Sequence, residues 1–159
     1  MAGLRLTGSV VQLKKGWWPL HFGSQRRPAA QGVGQRGEEL AAWYLRQQGY
    51  TIVAHNVRAA SRKMGGAGEI DLVAFEGAPA TMVFVEVKTR AREGRFAAES
   101  AVDAAKRRHL IRAAHSYCNR RHYTEPIRFD VVVIYGPNDE HPRVTLHRDA
   151  FRDAASGRN

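Results

Sequence analysis

Two carboxylates and an ammonium stand where a sheet interior should be apolar. The stretches Gly68-Glu69-Ile70-Asp71-Leu72-Val73-Ala74-Phe75 and Met82-Val83-Phe84-Val85-Glu86-Val87-Lys88-Thr89-Arg90 both read as strands, being rich in β-branched and aromatic residues. Glu76-Gly77-Ala78-Pro79 between them is turn chemistry. Side chains alternate along a strand, so Val83, Val85 and Val87 share one face and Met82, Phe84, Glu86 and Lys88 the other. A hairpin centred between Ala78 and Pro79 sets Asp71 directly across from Glu86. Such a cluster is costly to bury unless it is paired or binds a metal.

Hard oxygen donors suit Mg2+ or Mn2+. Carboxylates on adjacent strands could hold one ion, with water and a backbone carbonyl such as that of Val87 filling its shell. The ion would lower the pKa of a bound water and stabilise charge on a phosphate oxygen. Lys88, beside Glu86, could orient that water or offset negative charge in the transition state. Phosphodiester hydrolysis is the chemistry this combination supports. The competing explanation is an ion pair of Lys88 with Glu86 or Asp71 at a sheet edge. It accounts less well for charges flanked by apolar residues on both strands.

The elements that must position these groups follow from periodicity. A helix begins near Gly34, carries Leu40, Ala41, Tyr44 and Leu45 at helical spacing, and ends at Gly49. Glu38 and Glu39 in its first turn would complement the helix dipole, which suffices to explain one of them. Tyr50–Val57 is the first strand. Arg58 to Ala67 is a basic, Gly-containing loop leading into the hairpin, and Ala91–Phe96 is a second basic connection. The second helix runs from an Asp103 N-cap to Asn119 with an apolar stripe of Leu110, Ile111, Ala114, Tyr117 and Cys118. Lys106, Arg107, Arg108 and Arg112 cover its other directions. His109 and His115 belong to no metal-spacing motif. Ile127–Tyr135 is a buried strand closed by Gly136-Pro137-Asn138, and Asp130 at its mouth reads as a turn or arginine partner. Arg143–His147 adds a short edge strand. The order predicts a mixed α/β sheet flanked by helices.

The totals bound the partners. A chain of 159 residues with 43% hydrophobic content is expected to be one domain with a real core. No apolar run approaches a membrane span. Twenty-five Lys and Arg against 15 Asp and Glu give a net charge of +10, which favours a polyanionic partner, nucleic acid before membrane. Cys118 stands alone, which fits a reducing cytoplasm. Residues 1–32 are basic, lack acidic residues and hold no periodicity. They read as a flexible extension that either adds phosphate contacts or has no role. The domain is expected over residues 33–150, with 151–159 as a tail.

With these residues in view, the chain resembles the YraN-like family of bacterial proteins. The resemblance lies in Gly68-Glu69-Ile70-Asp71-Leu72-Val73, in Val83-Phe84-Val85-Glu86-Val87-Lys88-Thr89-Arg90, and in the opening-helix residues Gly34, Gly37, Glu38, Ala41, Tyr44 and Leu45. It continues through Ala101-Val102-Asp103 with Lys106 and through Arg128-Phe129-Asp130-Val131, covering about residues 33–136. The resemblance implies a restriction-endonuclease-like αβββαβ core, similar to archaeal Holliday junction resolvases and the wider PD-(D/E)XK nucleases. It places the nuclease aspartate at Asp71, the E-x-K at Glu86 and Lys88, and the helix glutamate at Glu38. The implied protein is a nuclease dependent on Mg2+ or Mn2+, acting on DNA more than RNA and on branched or structured DNA in particular. Asp71 and Glu86 would hold the metal with Glu38 assisting. Arg58, Lys63, Arg90, Arg92, Arg95, Lys106 and Arg107 are the candidates for phosphate contact, and a homodimer would suit a branched substrate. The alternative is a non-catalytic nucleic-acid-binding or assembly module that keeps the nuclease fold.

Overall fold

A computed structural model describes residues 9–12, 32–58, 69–91 and 102–153. Their elements in chain order are β1 (Ser9–Gln12), α1 (Val33–Gln47), β2 (Thr51–Arg58), β3 (Glu69–Glu76), β4 (Thr81–Arg90), α2 (Ala104–Arg120), β5 (Ile127–Tyr135) and β6 (Arg143–Phe151). The strands form one sheet in the order β1-β6-β5-β4-β3-β2. β4 and β5 run parallel, joined by the crossover that carries α2, and the other neighbours are antiparallel. Residues from α1 to β5 therefore make the αβββαβ core of the restriction-endonuclease-like fold, a mixed sheet with a helix on each face.

Amphipathicity explains the layers. On one face Leu40, Ala41, Tyr44 and Leu45 of α1 pack with Leu72, Ala74, Val83, Val85, Val132 and Ile134 of the sheet. On the other, Leu110, Ala113, Ala114 and Tyr117 of α2 meet Ile70, Val73, Met82, Phe84, Val131 and Val133. The central strands β4 and β5 are buried on both faces, which is why their sequences are nearly continuous apolar runs. Phe84 anchors the second layer, with Tyr117 edge-on at 5.7 Å and Phe129 at 5.8 Å between ring centroids.

Several elements differ from what periodicity suggested. Ser9–Gln12, inside the stretch expected to be flexible, pairs antiparallel with Arg143–Leu146 and forms one edge of the sheet. Four residues are too few for alternation to show. β6 continues past His147 to Phe151, and Phe151 is buried, stacking on Phe129 at 4.9 Å, so the domain's core reaches into the expected tail. α1 starts at Val33, and its first turn holds no acidic residue. Glu38 and Glu39 lie a turn further in, beyond the reach of the dipole.

Asp130 is an arginine partner. It is fully buried and accepts from Arg128 Nε and Nη2, both at 2.9 Å, from the Tyr50 hydroxyl at 2.8 Å and from the Asp149 N–H at 2.9 Å. Arg128 Nη1 also reaches Glu76 Oε2 at 3.0 Å. This satisfied network ties the turn after α1, the end of β3 and the start of β5 together. Glu76 and Arg128 sit at the hairpin-turn end of β4, since Glu76 pairs with Thr81 and Arg128 with Val83. Glu86 and Lys88 lie toward the other end.

Close approach of α1 to β4 depends on Gly37. A Cβ built there would overlap Thr89 Cγ2. Gly37→Ala should therefore destabilise the fold by roughly 1–3 kcal/mol in denaturant unfolding, despite alanine's better helix propensity. Adding Thr89→Ala, which removes the clashing methyl, should restore most of the loss.

Candidate active site

A break in the sheet creates the site. β3 and β4 pair in register from Glu76–Thr81 to Leu72–Val85, so the next rung would join Asp71 to Glu86. Pairing stops there among the described residues, and the Asp71 carboxylate takes the Val87 N–H instead, at 2.6 Å. On the other side β2 pairs His55 with Leu72 and Val57 with Ile70, leaving Asn56 opposite Asp71. Asn56 has φ +50, a left-handed conformation that asparagine tolerates better than most side chains. Leu72 packs in the α1 layer and Ile70 in the α2 layer, although strict alternation would put both on one face. The backbone thus reorients at Asp71, and an acid is turned out of an otherwise regular strand.

Glu86 is the buried charge of the site, with 2% of its side chain exposed. Lys88 Nζ donates to its Oε1 at 2.6 Å. From α2, Lys106 Nζ lies 3.1 Å from Oε2 but outside hydrogen-bonding geometry, and it reaches the Glu69 carbonyl at 3.5 Å. Oε2 is therefore buried and accepts no hydrogen bond among the described residues. Asp103 caps α2 by accepting from the Lys106 N–H at 2.7 Å, which fixes where that lysine begins.

Asp71 carries the strongest electrostatic signature. Burial first, and then the charge of Glu86, push its carboxyl up to about 7; the Val87 N–H and Lys106 oppose this, and Glu38 adds to it. A carboxylate whose proton affinity is raised by burial and by a neighbouring acid is a common mark of a functional site. Asp71 and Glu86 are the residues that could hold a cation. Glu38 approaches from α1. Burial raises its carboxyl above the usual range, against a hydrogen bond from the Asn56 side chain that lowers it. Among the described residues, no three His, Cys, Asp or Glu side chains come together as a metal-holding group, so Glu38 does not close a cage.

The expected phosphate contacts divide. Arg58 is exposed, 3.6 Å from Glu69, and Arg90 is exposed with its guanidinium on the Thr89 carbonyl. Lys106 turns into the site. Arg107 turns back on its own domain, donating to the Val102 carbonyl at 2.8 Å and lying over the Phe151 ring. Lys63, Arg92 and Arg95 lie outside the described residues. His109 contacts Arg112 at 3.0 Å and His115 contacts Asp153 at 2.8 Å. Sequence reasoning missed Asn56 as the partner of Glu38. Its signal was an asparagine inside a strand, where that residue is disfavoured. Lys106 reads in the sequence as a candidate for phosphate contact, because a basic helix face does not reveal which of its lysines points inward.

Residues 37–134 match the model of the Uncharacterised protein family UPF0102. The chain is 41% identical over 119 residues to a UPF0102 protein of Koribacter versatilis, covering 75% of this chain and 78% of that one. It is 41% identical over 128 residues to a UPF0102 protein of Solibacter usitatus, covering 80% and 91%. A UPF0102 protein of Symbiobacterium thermophilum is 43% identical over 120 residues, covering 75% and 95%.

The raised Asp71 pKa fixes a pH dependence. Between its ordinary value of 3.8 and about 7 the folded state holds this proton more tightly than the unfolded chain. Its contribution to stability is full below that window and is lost as pH rises through it. Without divalent metal, Asp71→Asn should be more stable than wild type near pH 7, and the difference should shrink toward pH 4. Thermal melts across that range in chelator check this.

Proposed function

The chain belongs to the UPF0102, or YraN-like, family, and on that premise we propose that it is a divalent-metal-dependent nuclease. Its substrate is DNA ahead of RNA, branched or otherwise structured DNA in particular. The observation that carries this reading is the Asp71–Glu86–Lys88 constellation at the parting of β3 and β4.

The residues fit a small, hard cation. The donors are carboxylate oxygens, as Mg2+ and Mn2+ prefer. Glu86 Oε2 is buried and accepts no hydrogen bond among the described residues, and Asp71 sits beside it as a second, partly buried acid. Asp71 and Glu86 would hold the ion and Glu38 would assist, with water and backbone oxygen completing the shell. When bound, the cation would supply an activated water and charge neutralisation at the phosphate.

This chain's own groups do the rest. Lys88, fixed on Glu86, holds a positive charge beside that acid, where it can orient water and offset developing negative charge. Asn56, opposite Asp71 on β2, hydrogen-bonds the Glu38 carboxylate that comes from α1. Arg58 and Arg90 stand exposed to meet phosphates, and Lys63, Arg92 and Arg95 belong to the segments that flank the hairpin. The net charge of +10 supports association with a polyanion. A two-fold dimer would present two such sites to a branched duplex.

The test is cleavage of linear, flapped and four-way DNA with Mg2+ or Mn2+ added or chelated. Wild type should cut only with metal. Asp71→Ala, Glu86→Ala and Lys88→Ala should each lose roughly 100-fold or more in rate, with salt-sensitive DNA binding retained. Binding without cleavage of any substrate by wild type would favour a non-catalytic nucleic-acid module instead.

A further inference from the structure

The site contains one more ammonium than the proposed chemistry uses. Glu86 is flanked by two lysines that differ in how they hold it. Lys88 makes a 2.6 Å hydrogen bond to Oε1 from the same strand. Lys106 comes from the first turn of α2, stands 3.1 Å from Oε2 without hydrogen-bonding geometry, and divides itself with the Glu69 carbonyl at 3.5 Å. About a third of its side chain, 32%, is exposed, so it has a way out toward solvent. The two lysines are thus a tight partner and a loose one.

A carboxylate as buried as Glu86 requires positive charge beside it, because an uncompensated ion in the interior costs several kcal/mol. The Asp71 carboxylate next to it increases that demand, and the Lys106 charge acts on Asp71 as well as on Glu86. Lys106 therefore lies where its charge serves both acids. A divalent cation shared by the same two acids would answer the same demand. Lys106 and the cation cannot both sit against Oε2.

We propose that Lys106 is a built-in competitor for the metal: its ammonium neutralises Glu86 Oε2 in the metal-free protein and gives up that oxygen when a divalent cation enters. The inference rests on the metal-dependent reading of the site and adds to it the residue that sets metal affinity. Lys106 is a positioning residue, acting through Glu86. By thermodynamic reciprocity, whatever factor the cation takes from the Lys106–Glu86 pair, the pair takes from cation affinity.

The experiment is calorimetric titration of Mn2+ into the full-length chain, comparing wild type, Lys106→Gln, Lys106→Arg and Glu86→Gln at one pH and low salt. Lys106→Gln removes the charge while keeping the reach, and it should bind Mn2+ roughly tenfold more tightly than wild type. Its thermal midpoint should also rise further on adding Mn2+. Lys106→Arg keeps the charge and grips a carboxylate with two N–H groups, so it should bind Mn2+ more weakly than wild type. The opposite signs keep the test valid if either variant folds poorly. Binding by Lys106→Gln where wild type shows none also supports the proposal. Equal affinities in wild type and both lysine variants, with Glu86→Gln abolishing binding, would overturn the competition while leaving the metal site standing. No Mn2+ binding by any variant would overturn both.

Discussion

Burial of the Glu86 charge is the constraint on which the rest of the site depends. The strand that carries it must be central, since only a strand covered on both faces buries a carboxylate this deeply. A central strand surrounds that charge with Val85, Val87 and Phe84 and so offers it little compensation from its own backbone. The compensation must come from other side chains, and the fold delivers it from two directions: Lys88 two residues along the same strand and Lys106 from α2. Without them the site would be an unpaired buried ion, which proteins tolerate poorly.

The same constraint explains the break at Asp71. A regular β3–β4 ladder would continue through the Asp71–Glu86 rung with backbone hydrogen bonds. Instead Asp71 uses its carboxylate on the Val87 N–H, and Asn56 on the far strand takes a left-handed conformation opposite it. The local loss of backbone pairing keeps the Asp71 carboxylate on β4, beside Glu86. On the opposite face Gly37 lets α1 settle against Thr89, which brings Glu38 to the same end of the sheet. β3 and β4 thus place two acids beside each other, α1 brings the charge of Glu38 within electrostatic reach of Asp71, and α2 supplies Lys106 against Glu86.

Much of this was legible from residues alone. The hairpin register followed from turn chemistry and alternation, because a register slip would have moved every valine of β4 to the wrong face. The αβββαβ order followed from the switch between the two periodicities. β1 was not legible, since four residues paired at an edge carry no pattern, and Phe151 gave no sign that it packs on Phe129. The inward direction of Lys106 could not be read either: a helix with Lys106, Arg107, Arg108 and Arg112 looks like a solvated basic face until the helix is placed on the sheet. Asn56 showed only as an unfavourable strand residue, and its conformation and its bond to Glu38 are tertiary facts. Counting Glu38 into the first turn of a helix that begins near Gly34 assigns it to the helix dipole. With the observed start at Val33 it lies in the second turn, where the dipole no longer accounts for it.

The central claim is that Asp71 and Glu86 form one cation site. It is tested most directly by a crystal structure of the protein with Mn2+, using anomalous scattering to locate the ion. The account predicts an anomalous peak bridging the Asp71 carboxylate and Glu86 Oε2, with Lys106 Nζ withdrawn from that oxygen. Mn2+ found only elsewhere on the molecule, with Lys106 still against Glu86, would contradict it.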